Sequence, residues 1–118
     1  LSEEQARYAM ENRELPDEVK NASRHVAVVL TQGWCPQWTM MKRYLEGMKK
    51  EATELDLTVF TLIYDGVDYF DEFRDFKEAV WQNYQIPYVR YYTEGTLVAE
   101  SNYVPARRFL GQFADGSS

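Results

Sequence analysis

The sequence predicts a single α/β domain in which a four-stranded mixed sheet is sandwiched by helices, with an extra helix at the N-terminus. The chain has 118 residues, about the size of one domain with one hydrophobic core. Short apolar runs, typical of buried strands, alternate with segments whose apolar residues recur at helical spacing. This alternation favours parallel strands, and a terminal pair of strands around Gly95 adds an antiparallel hairpin.

The first half of the chain predicts two short helical segments, one strand and one long helix. Residues 2–14 have a helical pattern that ends before Pro16, and a further helical turn is expected over residues 17–22. The unbroken apolar run 25–30 predicts a strand that is covered on both faces. The long helix begins at Pro36, because proline fits a first helical turn. Its core-facing stripe consists of Trp38, Met41, Leu45, Met48, Ala52 and Leu55.

The middle of the chain predicts a second strand and a third packed helix. A β-rich run over residues 57–64 closes with a turn at Asp65-Gly66. The helix that follows spans residues 69–84. Its apolar residues have helical spacing and are assigned to the core: Phe70, Phe73, Phe76, Val80 and Tyr84.

A hairpin and a final helix complete the predicted domain. The hairpin strands are residues 88–92 and 96–101. The last helix runs over residues 104–113, with Pro105 in its first turn. The predicted organisation is an N-terminal helical segment packed on the domain (1–23), the α/β domain itself (24–113) and a frayed tail (114–118).

The charge and hydropathy of the chain disfavour nucleic acid and membranes as partners. The net charge is −6, and acidic residues concentrate in residues 1–18 and 65–78, which would repel phosphate backbones. No apolar run approaches the ~18 residues that cross a bilayer. The paired basic residues are expected on solvated helix faces rather than in an anion site: Lys42-Arg43, Lys49-Lys50 and Arg107-Arg108.

The cysteine and histidine content limits the metal and redox chemistry of the chain. Cys35 is the only cysteine, so it has no internal disulfide partner, and His25 is the only histidine. These two residues cannot supply a zinc ligand set, and no metal or other cofactor is predicted. His25 is expected to be a solvated strand-end residue rather than a general base. The compartment is not determined, because the chain opens with Leu1 and a removed signal sequence is left open; the cytoplasm is slightly favoured.

The predicted elements follow one another in a specific order. An apolar strand is followed by the motif Trp34-Cys35-Pro36 and a long helix, and Ile86-Pro87 later precedes a hairpin. In this order and spacing the chain resembles the thioredoxin superfamily over residues 24–113, as a variant with a single cysteine in Cys-Pro-Gln-Trp. The resemblance implies that Pro87 is a cis-proline beside the active cysteine and opens a backbone edge to which partner peptides pair. The alternative is a trans proline that merely starts a strand.

The sequence departs from the family pattern at positions that support dithiol chemistry. Trp38 stands where members with Cys-x-x-Cys have their second cysteine, so Cys35 lacks an internal resolving partner. The resemblance implies an aspartate and a lysine beneath the active site, and the matching positions hold Val29 and Thr61. The glycine near the end of the hairpin is replaced, and Glu100-Ser101-Asn102-Tyr103 lacks the glutathione-binding residues of glutaredoxin-like members.

The first functional hypothesis is thiol–disulfide exchange through Cys35 alone. Its predicted place at or beside the N-cap of the long helix favours the thiolate, which is the form that attacks disulfides. An external thiol would then resolve the mixed disulfide formed with a protein or peptide partner. Ile86 and Pro87 would dock that partner, and Trp34 and Trp38 would frame the cleft. The place of Trp38 on the apolar stripe favours packing over a hydrogen bond from its indole to the sulfur.

The second hypothesis is a redox-inactive module that binds an extended peptide or protein partner at the same groove by strand addition. Trp34, Pro36, Trp38 and Tyr88 would bound that groove and supply its apolar anchors. A third alternative leaves Cys35 as an unreactive small hydrophobic residue at the start of a helix.

Overall fold

The computed structural model describes residues 1–114, which form one four-stranded sheet with helices on both faces. The helices are α1 (Glu3–Asn12), α2 (Asp17–Lys20), α3 (Pro36–Gly47), α4 (Lys49–Leu55), α5 (Phe70–Ala79) and α6 (Ala106–Ala114). The strands are β1 (His25–Thr31), β2 (Leu57–Ile63), β3 (Tyr88–Thr93) and β4 (Thr96–Ser101), and a short 3₁₀ turn, Tyr64–Gly66, follows β2. The predicted α/β class and the extra N-terminal helix are confirmed. None of the helices described in this range combines the length and apolar character that crossing a bilayer requires.

Strand β1 lies inside the sheet, whose strand order is β2-β1-β3-β4. It pairs in parallel with β2, where Val29 is opposite Thr61, and antiparallel with β3, where Leu30 is opposite Tyr88. Strands β3 and β4 form the predicted antiparallel hairpin. Every residue of β1 is buried, because helices cover both of its faces, and this explains the unbroken apolar run in the sequence.

Side chains of β1 alternate between two hydrophobic clusters, one on each face of the sheet. Val26, Val28 and Leu30 belong to a cluster that α1, α2 and α5 cover. Ala27 and Val29 belong to the other cluster, which α3 and α6 cover and which also contains the cysteine. The cysteine therefore lies on the opposite face of the sheet from the N-terminal helices.

The long helix predicted over residues 36–55 is divided in two at Met48. The φ and ψ angles of Met48, −112° and 24°, leave helical geometry, and its N–H donates to the Leu45 carbonyl at 3.3 Å. Gly47, a poor helix former, is the last residue of α3, which explains why the break occurs there. The core-facing stripe is kept across the break, since Met41 and Met48 are both buried.

The helix predicted over residues 69–84 is shorter, because α5 ends at Ala79. Gln82 adopts a left-handed φ of 54°, which turns the chain away from the helix axis. Val80 and Tyr84, which the helical spacing assigns to the core, are exposed at the surface instead. The aromatic stripe of α5 is therefore confined to its three phenylalanines.

The last helix begins later than the sequence predicts. Pro105 precedes α6, and its carbonyl accepts the Phe109 N–H at 3.0 Å, so it does not lie within the first turn. The tail is predicted to begin at residue 114, but Ala114 is still part of α6 and is its last residue. Residues 115–118 lie outside the described part of the chain.

A buried arginine attaches the N-terminal segment to the sheet. Arg90 of β3 is 4% exposed, contacts the Glu14 carboxylate at 3.1 Å, and lies 4.2 Å from the centre of the Trp81 ring. The same carboxylate accepts a hydrogen bond from the Tyr92 hydroxyl. The Trp81 indole Nε1 donates to the Arg13 carbonyl at 3.1 Å. These contacts hold the connection between α1 and α2 against the face of β3.

The substitution Glu14→Gln removes the charge opposite Arg90 and keeps the size of the side chain. We expect the free energy of unfolding to fall by about 1–3 kcal/mol, because the buried guanidinium loses its nearer carboxylate, at 3.1 Å, and keeps only that of Glu100, at 3.8 Å. Urea unfolding measures the loss, and Glu11→Gln, on an exposed glutamate of α1, should stay within about 0.5 kcal/mol of the parent. Equal losses in the two variants would contradict this account of the attachment.

Candidate functional site

Cys35 and Pro87 come together because β1 and β3 are antiparallel. The end of β1 and the start of β3 meet at one edge of the sheet, where Leu30 pairs with Tyr88. Cys35 follows β1 along the chain, and Pro87 directly precedes β3. The Cys35 Sγ lies 3.8 Å from the Ile86 carbonyl oxygen, to which the thiol donates a weak hydrogen bond, and the Ile86–Pro87 peptide bond is cis.

Cys35 is the N-cap residue of α3. Its backbone is extended, with φ −72° and ψ 122°, and Pro36 occupies the first helical turn as the sequence predicts. The carbonyl of Cys35 accepts the Thr39 N–H at 3.1 Å, which closes the first turn of the helix. The unpaired N–H groups and the dipole at a helix start stabilise negative charge, and a thiolate requires such stabilisation. Cys35 is 5% exposed, so a partner has access to only a small part of it.

The loop before Cys35 is tied to the turn that follows β2. The Gly33 N–H donates to the Asp65 carboxylate at 3.0 Å. Trp34 is 66% exposed, and its indole Nε1 donates to the Gln32 side chain at 2.6 Å. The loop thereby presents a large aromatic surface directly before the cysteine.

Trp38 packs into the core, in agreement with its place on the apolar stripe. Its side chain is 6% exposed and belongs to the same cluster as Cys35 and Val29. The accessible part of Trp38 lines a groove of about 370 Å³ between the α3–α4 pair and β2, together with Leu45 and Val59. Cys35, Ile86 and Pro87 are not among the residues that line this groove.

Tyr88 lies on the opposite face of the sheet from the cysteine, which corrects its predicted place in the groove. Its side chain is fully buried in the cluster of the N-terminal helices, where it packs against Trp81 and hydrogen-bonds to Glu100 and Arg90. Burial raises the pKa of Tyr88, so its hydroxyl is neutral. The side chain of Tyr88 points to this face because Tyr88 is paired with Leu30 of β1, and side chains of directly paired residues lie on the same face of a sheet.

Two residues near the cis-proline are missed by the sequence pattern. Tyr84 is in the loop before Pro87 and is 73% exposed. Lys77 of α5 is 1% exposed, and its amine donates to the Gln85 carbonyl at 2.8 Å. A signal for Lys77 is present in the sequence, because it follows Phe73 by four positions and therefore shares the inward face of the helix.

His25 lies at the other end of β1 from the cysteine and is buried, which corrects the prediction of a solvated residue. It is 8% exposed, its Nδ1 is 2.9 Å from the Thr93 hydroxyl oxygen, and its ring centre is 5.1 Å from that of Phe113. Burial lowers the pKa of His25 and favours the neutral imidazole. Its position at the far end of the strand agrees with the expectation that it is not a general base for Cys35.

Comparison with solved structures identifies the fold. No protein-family model and no curated protein matches the sequence. The structure is similar to the crystal structure of thioredoxin O1 from Arabidopsis thaliana in the oxidized state, with a TM-score of 0.65, 14% sequence identity, and coverage of 93% of this chain and 87% of that chain. The chain has the thioredoxin fold. The structure is also similar to thioredoxin O2 from the same plant, with a TM-score of 0.60, 17% sequence identity, and coverage of 93% of this chain and 84% of that chain. A third similar structure is the oxidised thioredoxin from Plasmodium falciparum, with a TM-score of 0.59, 18% sequence identity, and coverage of 83% of this chain and 88% of that chain.

Within this thioredoxin fold, the surroundings of the sulfur are apolar or neutral. Val29 and Thr61 are paired across β1 and β2, and Val29 packs in the same cluster as Cys35. The thiol's hydrogen bond goes to the Ile86 carbonyl and not to an ionisable side chain. In the part of the chain that the structure describes, no three His, Cys, Asp or Glu side chains are arranged to hold a metal ion. The side chains that pack with Cys35 in this cluster therefore carry no charge.

The two tryptophans beside Cys35 should differ in what they contribute to stability. Trp38→Ala removes a buried ring and should lower the free energy of unfolding by about 3–5 kcal/mol. Trp34→Ala, at an exposed position, serves as the matched comparison and should change it by less than about 0.5 kcal/mol. Denaturant unfolding of both variants gives the values. A small loss for Trp38→Ala would contradict its assignment to the core.

Proposed function

We propose that this protein exchanges disulfides through Cys35 as a monothiol, and that an external thiol completes the reaction. The observation that carries the proposal is the position of the sulfur at the N-cap of α3, 3.8 Å from the Ile86 carbonyl and beside the cis bond to Pro87. The helix start supports a thiolate, and the adjacent main chain offers an edge to an extended partner. The similar structures are thioredoxins, which supports a protein thiol or disulfide as the partner.

The proposed exchange conserves electrons at each step. The Cys35 thiolate attacks one sulfur of the partner disulfide and forms a mixed disulfide, and the released sulfur takes a proton from water. An external thiolate, such as that of glutathione, then attacks the Cys35 sulfur and releases the second thiol of the partner. A second external thiol removes the group left on Cys35 as its own disulfide. Two external thiols are thus oxidised for each partner disulfide that is reduced.

The need for an external thiol follows from the residue that occupies the resolving position. Trp38 has no sulfur, and Cys35 is the only cysteine in the sequence. Turnover should therefore depend on the concentration of the external thiol.

Cys35→Ser removes the nucleophile and keeps the shape of the side chain. We expect reduction of a peptide disulfide, in the presence of reduced glutathione, to fall to the rate of glutathione alone. Gln37→Ser, at an exposed position in the first turn of α3, is the matched control and should keep the parent rate. Equal rates for the parent and Cys35→Ser would refute the proposed exchange.

A second candidate function is a redox-inactive module that binds an extended peptide at the same edge. The contrast in exposure favours it, because Cys35 is 5% exposed while Trp34 and Tyr84 are 66% and 73% exposed. Aromatic rings bury large apolar areas and commonly anchor peptides. A peptide would pair with the main chain at Ile86 and place its side chains against these rings.

Variants at the two kinds of position separate binding from exchange. If the module only binds, Cys35→Ser keeps the proteins that the parent captures from a cell extract under reducing conditions, and Trp34→Ala loses them. Tyr8→Ala, at an exposed aromatic residue of α1, is the control and should retain them. Loss of the partners after Cys35→Ser, or their retention after Trp34→Ala, would contradict the second candidate.

A further inference from the structure

Lys77 of α5 is a buried lysine attached to the loop that carries the cis-proline. Its side chain is 1% exposed, and its Nζ donates to the carbonyls of Asn83 and Gln85, each at 2.8 Å. The Nζ also lies 5.7 Å from the centre of the Tyr88 ring. Asn83 and Gln85 come just before Ile86, whose carbonyl faces the cysteine sulfur. The amine therefore holds the loop close to the point where it contacts the candidate site.

The position of this amine has a cost in stability at neutral pH. Burial lowers the pKa of Lys77 from 10.5 to about 8, because the charged form is removed from water. This cost is absent above about pH 10.5, where the amine is neutral in both the folded and the unfolded protein, and it is complete once the pH has fallen through about 8. An apolar side chain of similar length would avoid this cost. The two hydrogen bonds from the Lys77 amine to the loop carbonyls offset part of this cost and fix the position of the loop.

A second side chain holds the same loop from the end of the hairpin. Asn102 Nδ2 donates to the Pro87 carbonyl at 3.1 Å and to the Asn83 side-chain oxygen at 2.9 Å. The same oxygen of Asn83 accepts the Gln85 N–H at 3.1 Å. Ile86 therefore lies between two held residues, one fixed from α5 and the other from the end of β4.

We propose that Lys77 is a positioning residue for exchange at Cys35, and that it holds the Ile86–Pro87 edge where a partner docks. This inference rests on the proposed function. A docking edge that is ordered before the partner arrives avoids the entropy cost of ordering it during binding. It also keeps the partner sulfur in line with the thiolate, where an error of ~1 Å can cost roughly a hundredfold in rate.

Lys77→Met removes the N–H donors and keeps the length of the side chain. We expect exchange with a peptide disulfide to fall by roughly tenfold or more, because the docking edge loses its position. Alkylation of Cys35 by iodoacetamide, measured as the limiting rate at high pH, should rise several-fold, because the loop over the thiol opens. Hydrogen exchange at the Asn83 and Gln85 amides should accelerate while the amides of β1 keep their protection, which separates loosening of the loop from loss of the fold.

Three further variants control this experiment. Lys50→Met, at an exposed lysine of α4, should change none of these rates. Lys77→Arg keeps N–H donors and should lie closer to the parent than to Lys77→Met in its exchange rate. Lys77→Leu also removes the N–H donors and places a good helix former at this buried helical position, so it tests the same idea if Lys77→Met does not fold.

Two outcomes distinguish failure of this inference from failure of the proposed function. Parent-like protection of the Asn83 and Gln85 amides and a parent-like exchange rate, in Lys77→Met or in a folded Lys77→Leu, would overturn the role of Lys77. If instead the parent and Cys35→Ser reduce the peptide disulfide equally, the exchange function has failed, whatever the state of the loop.

Discussion

The pairing of β1 with β3 is the constraint on which the arrangement around Cys35 depends. Strand β1 is buried along its whole length, so a slip of one residue would turn its apolar side chains to the wrong layers. The antiparallel register places Leu30 opposite Tyr88, and it thereby brings the loop after β1 beside Pro87. The cysteine and the cis-proline are neighbours in space because of this register, although they are far apart in the sequence.

The surroundings of Cys35 supply neither a second sulfur nor an ionisable partner for the thiol. Trp38 occupies the place of a resolving sulfur, and the pair Val29 and Thr61 supplies no acid or base. In the proposed exchange, proton transfer and resolution are therefore left to water, the partner and an external thiol. What the chain itself supplies is the start of α3, the fixed edge at Ile86–Pro87 and the aromatic surface of Trp34.

The order of elements could be predicted from the sequence, whereas the direction of several side chains could not. The run 25–30 is apolar without alternation, which only a strand covered on both faces explains. Strand β3 is likewise buried on both faces, so nothing in its pattern assigns Tyr88 to one of them. His25 is buried by Phe113, a residue from the last helix that no local pattern connects to it. Lys77 has the spacing of a core residue and the charge of a surface residue, and the loop carbonyls that decide between them are visible only in the fold.

The central claim is that the thiol of Cys35 is available for exchange in the folded protein. The most direct test treats the native protein and the urea-unfolded chain with oxidised glutathione and follows the intact mass of each with time. The account predicts that the native protein gains one glutathione on Cys35 at least as fast as the unfolded chain does. Modification that occurs only after unfolding would show that the sulfur is sealed in the core, and it would contradict the account.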